Sequence, residues 1–458
     1  MSRVVEASLI LGITLAVLAF GGTEPASFAL VEVLLLGVSA LLVANPSGVA
    51  LSALWRALLV PAAVLCVILV QLCPLPVHLL ERFAARENPG TGAPLAHLSI
   101  EAYSTRAHLL IFLTCSAAFY FAQIISKDRQ RKQRLIYSVI ALGCFEAFYG
   151  LFQYLTGWQQ IFTYVKKYDL AEATGTYINR NHYAGLLEMV LPFSLALAFY
   201  EYGNFARKQR QPSRQMRKMI MRASFQRLAF WFSTAVVLFA ALVFSRSRMG
   251  IIAGCWSLVA ILGIAGLSRF RARMLLTLCA AFLITSFCLC LWIGPGPIAE
   301  RFQEVEQEYS LGDQSRVSIW RDDLKLIRHH PWIGTGLGTF PIAFTGVQTT
   351  FLGQFVNHAH NDYLELASDL GVPAALVLVA GILLVLARAV RTFLFGEGNF
   401  ERIVALGCTG SIAAMLMHAM ADFNLYIPGN ALVFSMILGL GMWAPPGSLQ
   451  DRSPRLGS

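Results

Sequence analysis

The sequence predicts an all-α protein, a polytopic helix bundle that crosses a membrane about twelve times. Of its 458 residues, 56% are hydrophobic and only 14% are charged, and the mean hydropathy is +0.60. Soluble domains carry about 25% charged residues, so a water-soluble fold could not cover this many apolar side chains. The apolar runs are long and continuous, which favours spanning helices over the alternating strands of an outer-membrane barrel.

Each predicted helix is an apolar run long enough to cross the hydrocarbon core, which takes about 20 residues. The runs lie at residues 5–22, 26–45, 55–73, 109–126, 135–157, 183–201, 228–245, 249–267, 274–294, 372–390, 402–421 and 428–444. We expect the first run to be a retained span, because no small-residue cleavage site follows it.

The orientation follows from the positive residues. The formal net charge is +10, and we attribute it to cytoplasmic loops rich in Lys and Arg rather than to nucleic-acid binding. A cytoplasmic N-terminus places most Lys and Arg inside, including a basic loop from Arg207 to Arg227. The nine cysteines lie in apolar runs without metal-ligand spacing, which predicts small buried side chains.

This orientation puts a long loop, residues 295–371, on the exported side, and loops longer than about 15 residues are usually functional. Within it, Val317, Trp320, Leu324 and Ile327 recur at helical spacing and predict an amphipathic surface helix that ends before Pro331. A flexible glycine turn, Gly334 to Gly338, is expected next.

Two histidines, His358 and His360, precede a second short helix in this loop. Asn361 or Asp362 is expected to cap that helix and Gly371 to end it. An imidazole that titrates near neutral pH can accept the proton of a hydroxyl group. Surface polar residues beside a cap are the plain alternative, and a metal site is disfavoured because a third ligand is missing. No metal and no cofactor are therefore predicted.

Arginines near the exported surface form the second candidate feature. Arg246 and Arg248 lie in a very short turn between two spans, and Arg316 lies in the long loop. They could snorkel to lipid headgroups, but guanidinium groups also bind phosphate in a bidentate way. Further polar residues stand where the sixth span begins, namely Asn179, Arg180 and His182. Together these groups predict an anionic, lipid-borne substrate such as a polyprenyl diphosphate.

Four motifs in this order resemble those of the O-antigen ligase and O-antigen polymerase superfamily, bacterial GT-C type membrane glycosyltransferases. The motifs are Ser247-Arg-Met-Gly250, Arg316 with Trp320, His330-Pro-Trp-Ile-Gly-Thr-Gly-Leu-Gly338, and His360-Asn-Asp-Tyr-Leu-Glu-Leu ending at Gly371. The resemblance covers roughly residues 170–440.

The resemblance implies transfer of an undecaprenyl-diphosphate-linked glycan to an acceptor hydroxyl on the periplasmic face of the inner membrane, without metal and with inversion. His360 would be the catalytic base, and Arg248 and Arg316 would hold the diphosphate, with Arg246 as a second candidate. Residues of supporting role would be Asn179, Arg180, His182, Asn361, Asp362 and Glu365. Asp362 or Glu365 would orient His360.

The acceptor stays open at this point. It could be lipid A core for a ligase, another polyprenol-linked repeat for an O-antigen or exopolysaccharide polymerase, or a protein for an O-oligosaccharyltransferase; the His-to-Gly spacing favours a ligase. A polysaccharide flippase is the alternative from another class. We expect residues 1–170 to form N-terminal transmembrane helices, 171–444 to form the ligase-like core, and 445–458 to form a disordered cytoplasmic tail.

Overall fold

The computed structural model describes residues 1–45, 55–76, 95–208, 214–266, 272–293, 314–349 and 355–442. These residues form fifteen α-helices and two small two-stranded antiparallel sheets. The predicted helical bundle is therefore confirmed. The predicted tail at 445–458 lies outside the described residues.

Each predicted span coincides with one helix. These helices are α1 (Ser2–Leu18), α2 (Pro25–Ala44), α3 (Leu59–Gln71), α4 (Ala102–Ser126), α5 (Arg129–Thr156), α6 (Arg180–Lys208), α7 (Arg214–Phe244), α8 (Arg248–Gly266), α9 (Ala272–Ile293), α13 (Val372–Phe395), α14 (Asn399–His418) and α15 (Pro428–Met442). Among the described residues, eight helices are long and apolar enough to cross a membrane, and α3, α15 and part of α9 form shorter apolar helices.

The described part of the long loop, residues 314–349 and 355–371, contains helices, as predicted. It contains α10 (Gln314–His329), α11 (Phe340–Thr345) and α12 (Asp362–Leu370). The sheets pair β1 (Pro74–Pro76) with β2 (Leu95–His97) and β3 (Gln160–Ile161) with β4 (Tyr164–Val165).

The helix α6 lies at the centre of the bundle. Nearly all of its spanning segment is buried, whereas α2 and α13 expose most of their apolar side chains, as helices in contact with lipid do. Glycines let α14 approach α6 closely: a Cβ added at Gly407 would lie 2.6 Å from the Phe193 ring, the small-residue packing typical of membrane helices. One continuous core runs from Val5 on α1 to Leu440 on α15, so the N-terminal helices pack with the C-terminal ones.

Two local expectations were wrong. The predicted basic loop from Arg207 to Arg227 is largely helical, because α7 already begins at Arg214; its Arg, Lys, Gln and Met residues are good helix formers. The buried face of α10 contains Ile319 and Leu326, whereas Val317 and Leu324 are exposed.

The helix α12 buries acidic residues beside apolar ones. Its buried residues include three acids, Asp362, Glu365 and Asp369, together with Leu366 and Leu370. The pattern of apolar residues could not predict this, because buried acids are rare unless partner groups from elsewhere satisfy them.

Candidate active site

The loop before α12 positions His360. As expected, Asn361 is the N-cap of α12: its side chain accepts hydrogen bonds from the backbone N–H groups of Tyr363 and Leu364, both at 3.1 Å. Gly371 ends the helix. His360, directly before the cap, has a φ of +51°, in the left-handed region that favours glycine. Such conformations cost of order 1 kcal/mol and cluster at functional sites.

Asp422 is the acid that lies beside His360. The distance from the His360 Nδ1 to the Asp422 Oδ1 is 3.8 Å, longer than a hydrogen bond; the imidazole is about one third exposed and the carboxylate is 1% exposed. The backbone N–H of Asp362 donates to the carbonyl oxygens of Ala419 and Asp422, which ties the start of α12 to the turn after α14.

The imidazoles around Asp422 favour its carboxylate form. Burial acts to raise its pKa, but the imidazoles of His360, His418 and His182 outweigh burial and hold the pKa well below its usual range. Sequence reasoning missed this residue. The only available signal was an isolated acid at the end of an apolar run.

Three histidines surround the ring of Phe423. His358 stacks on it at 4.0 Å between ring centroids, and His182 and His360 meet it edge-on at 4.8 Å and 5.0 Å. The structure thus brings together His182, from the start of α6, and His360, from the long loop, although 178 positions separate them in the sequence numbering.

The expected acidic partners of His360 lie elsewhere. Glu365 contacts His358, with 2.7 Å between Oε1 and Nδ1, and its Oε2 accepts a hydrogen bond from the backbone N–H of Ala359. Asp362 accepts from the backbone N–H of Leu425 at 3.2 Å. The hydrogen bonds of these two carboxyl groups therefore go to His358 and to the backbone around His360, and not to the His360 ring.

Burial keeps the His358–Glu365 pair neutral. It raises the pKa of Glu365 to about 8, against the lowering effect of the Ala359 N–H. It also lowers the pKa of His358 to about 4, against the charge of Asp422. A protonated Glu365 then donates its hydrogen bond to His358 Nδ1.

The arginines near α6 and α8 share an acid. Arg180 Nη1 lies 2.7 Å from Glu172 Oε1, and Arg246 Nη1 lies 3.8 Å from the same atom. Asp169 lies 3.7 Å from Arg180. Arg246 has a φ of +54°, so a second candidate residue adopts the left-handed conformation. Asn179 caps α6 through the backbone N–H of Asn181.

Close packing joins the first turns of α6 and α8 to the histidine cluster. A Cβ on Gly250 would lie 2.5 Å from the Ala184 Cβ, and one on Gly185 would lie 2.3 Å from Asn424 Oδ1. Asn430 donates to the His182 carbonyl oxygen at 2.8 Å. Arg248, the first residue of α8, precedes Gly250 by two residues in the sequence. It therefore lies at the same end of the bundle as His182.

Trp320 joins α10 to the same cluster. Its indole N–H donates to the Ala359 carbonyl oxygen at 2.9 Å, between the two histidines of the loop. Arg316 lies about one helical turn before Trp320 and is half-buried. The structure thus brings α10, with Arg316, to the residues that flank His360.

The glycine turn is fixed rather than flexible. Gly338 donates to Asp369 Oδ2 at 2.6 Å, and the Tyr426 hydroxyl donates to the same atom at 2.9 Å. Gln71, at the end of α3, donates to the Ile333 and Asp369 carbonyl oxygens. Sequence reasoning found no role for the end of α3, because the contact is between residues almost 300 positions apart.

An apolar cavity of about 210 Å³ lies between α3, α4, α13 and α15. Its few polar groups include His108 and Tyr426, and the Tyr426 ring lies 5.7 Å from that of His358. The Tyr426 ring therefore stands between this cavity and the histidine cluster.

The chain has no significant match among curated proteins. Residues 233–379 match a family model described as O-antigen ligase. This segment includes Arg246, Arg248, Arg316 and His360, whereas His182 and Asp422 lie outside it. The match over this segment, about a third of the chain, supports the resemblance to the O-antigen ligase and polymerase superfamily.

Proposed function

We propose that this protein transfers a polyprenyl-diphosphate-linked glycan to a hydroxyl of lipid A core, at the exported face of the bacterial inner membrane. The family match over residues 233–379 and the apolar helices support a glycosyltransferase of the ligase or polymerase type in a multi-pass membrane protein. The observation that carries the finer assignment is the His360–Asp422 pair, which lies among helix ends that carry arginines.

In this proposal His360 is the general base. The acceptor O–H gives its proton to the imidazole while the acceptor oxygen forms a bond to the anomeric carbon of the glycan. The bond between that carbon and the diphosphate oxygen breaks, and the electron pair leaves with the polyprenyl diphosphate. Attack opposite the leaving group inverts the anomeric carbon. Asp422 stabilises the imidazolium, as a buried carboxylate does for a catalytic histidine.

The leaving diphosphate needs cations, since its negative charge grows as the bond breaks. We assign Arg248 and Arg316 to this role, with Arg246 as a further contact. Glu172 already neutralises part of the charge of Arg180 and Arg246. Arg180 and Asn179 shape the first turn of α6, and His182 packs between this turn and Phe423.

The apolar cavity and the lipid-facing helices support a substrate with a hydrocarbon chain. A diphosphate-linked glycan is already activated, so the reaction needs no nucleotide, and the proposed chemistry uses protein side chains alone. We further propose residues 171–444 as the catalytic core and 1–170 as the N-terminal helices that support it.

The test is a transfer assay with purified protein in lipid nanodiscs. A polyprenyl-diphosphate glycan is offered lipid A core and, in a parallel reaction, a second molecule of the same donor, and products are separated by mass. The proposal expects glycosylated lipid A core. Products that contain only lengthened, polyprenol-linked glycan would assign a polymerase, and absence of both products would contradict glycan transfer to these acceptors.

A further inference from the structure

A buried ion pair lies behind the proposed catalytic residues. His418 Nδ1, at the end of α14, is 2.8 Å from Glu188 Oε2 on α6, and both side chains are 0% exposed. Glu188 belongs to a helix that could cross a membrane, and so does His418. Ionisable residues are costly at such depth, and they commonly mark functional sites.

This pair continues to the active site. His418 Nε2 lies 3.7 Å from Asp422 Oδ2, and Asp422 Oδ1 lies 3.8 Å from His360 Nδ1. The series Glu188, His418, Asp422 and His360 thus alternates acid and base, from the buried centre of the bundle to a partly exposed imidazole. Several of its polar atoms are buried without a hydrogen bond, namely Glu188 Oε1, His418 Nε2, Asp422 Oδ2 and His360 Nδ1.

Burial opposes the negative charge of Asp422. The carboxyl groups of Asp362 and Glu365 also interact with it electrostatically, although burial favours their neutral forms. The imidazole of His182, from α6, acts in the opposite direction. His418 is the fully buried imidazole that directly faces Asp422, and Glu188 is its own counter-ion.

We propose that Glu188 and His418 form a buried charge relay that keeps Asp422 negatively charged and thereby stabilises the protonated form of His360. With Glu188 and Asp422 as carboxylates and His418 as an imidazolium, the relay and a neutral His360 carry one net negative charge. When His360 accepts the acceptor proton, the group becomes neutral. Glu188 and His418 are positioning residues, since neither contacts a reacting atom, and no proton has to move along the relay.

The catalytic role of the relay rests on the proposed function. Its effect on the ionisation of His360 can be measured without the transfer reaction. The competing interpretation is that Glu188 merely ties α6 to α14. Glu188→Gln separates the two, because the amide oxygen still accepts a hydrogen bond from His418 while the negative charge is lost. His418→Gln removes the cation from the relay.

The experiment measures the ionisation of His360 directly. Diethyl pyrocarbonate acylates neutral imidazole, and mass spectrometry of the His360 peptide gives the labelling rate between pH 5 and 9. The full-length protein in nanodiscs is compared with Glu188→Gln, His418→Gln and Glu201→Gln. Glu201 is a matched control, because it is a buried acid on the same helix that pairs with Arg227 instead.

We expect the midpoint of His360 labelling to move to lower pH by about one unit in Glu188→Gln, because a negative charge that favours the imidazolium is lost. In His418→Gln the midpoint should move to higher pH, because a positive charge is lost while both carboxylates remain. Glu201→Gln should keep the wild-type midpoint. Unchanged midpoints in folded Glu188→Gln and His418→Gln would overturn the relay; if one of these variants does not accumulate, the other decides.

Transfer assays on the same samples separate the two proposals. If both hold, the acid limb of the transfer rate follows the labelling midpoint in each variant, and the plateau rate of Glu188→Gln falls because His360 is a weaker base. A shifted midpoint in a protein that transfers no glycan would support the relay and contradict the proposed function.

Discussion

At the scale of single residues, the candidate site depends on His360 and Arg246, which both have left-handed backbone conformations. Neither is a glycine, so the neighbouring contacts must hold them there. For His360 these contacts are the Asn361 cap and the two hydrogen bonds from Asp362 to the turn after α14. The backbone is therefore arranged in advance for the imidazole to face Asp422.

Arg248→Lys should lower transfer by about tenfold or more, mainly through a higher KM for the donor. An ammonium group cannot reproduce the two parallel hydrogen bonds of a guanidinium group. Initial rates against donor concentration give the change. Arg328→Lys, at an exposed site on α10, is the control, and a wild-type KM in Arg248→Lys would argue against a diphosphate contact.

Glu365→Gln should preserve the fold and change how the stability of the protein depends on pH. The pKa of Glu365 is raised to about 8, so the protonated acid is favoured by folding, and this contribution to stability is lost as pH rises from about 4.5 to about 8. Glutamine can replace the protonated acid as donor to His358 and acceptor from Ala359. The thermal midpoint of Glu365→Gln, relative to that of the wild type, should therefore rise as the pH increases from 5.5 to 7.5. A relative midpoint that falls over this interval would contradict the neutral pair.

At the scale of elements, α3 and α4 hold the glycine turn beneath α12. Gly338 has a φ of +77°, and a Cβ added there would lie 2.0 Å from His108 Nδ1 on α4. Ser104, also on α4, donates to the Gly338 carbonyl oxygen at 2.6 Å. The turn thus links the N-terminal helices to the candidate site.

Gly338→Ala should destabilise the protein, because both the backbone conformation and the space exclude a side chain. We expect a thermal midpoint several degrees lower, measured by tryptophan fluorescence, with reduced accumulation. Gly263→Ala on α8 is the matched control, since a Cβ there meets nothing within 4 Å and alanine favours a helix. Equal midpoints for the two variants would show that the turn tolerates a side chain.

The sequence predicted the helices better than the site. Hydropathy alone located each span, because every backbone polar group in lipid must be satisfied within a helix. Motif spacing located His360 and the arginines. Asp422, Glu188, His418 and Gln71 were missed, because each acquires its meaning from a partner far away in the chain, and no local pattern encodes such contacts.

At the scale of the whole molecule, the residues of the candidate site lie together at one end of the bundle. The first turn of α6 and the start of α12 contact the turn that follows α14. The first turn of α8 packs on α6, and the glycine turn is hydrogen-bonded to α12. Lys and Arg counts assign this end to the exported side. The orientation is a prediction that fusion reporters can check.

Alkaline phosphatase fused after Gln348 should be active, because the enzyme folds only on the exported side, whereas the fusion after Phe395 at the end of α13 should be inactive. β-Galactosidase fusions at the same positions should give the opposite pattern. The reverse result would place residues 295–371 in the cytosol, away from an exported donor.

The most direct test of the central claim is to separate donor binding from transfer in His360→Ala. Binding of a polyprenyl-diphosphate glycan in nanodiscs and single-turnover transfer to lipid A core are measured on the same sample, with His329→Ala, an exposed histidine on α10, as the control. We expect His360→Ala to bind the donor as the wild type does. Its transfer rate should fall by about a hundredfold or more, since it lacks the general base. Transfer at the wild-type rate by His360→Ala would contradict the account.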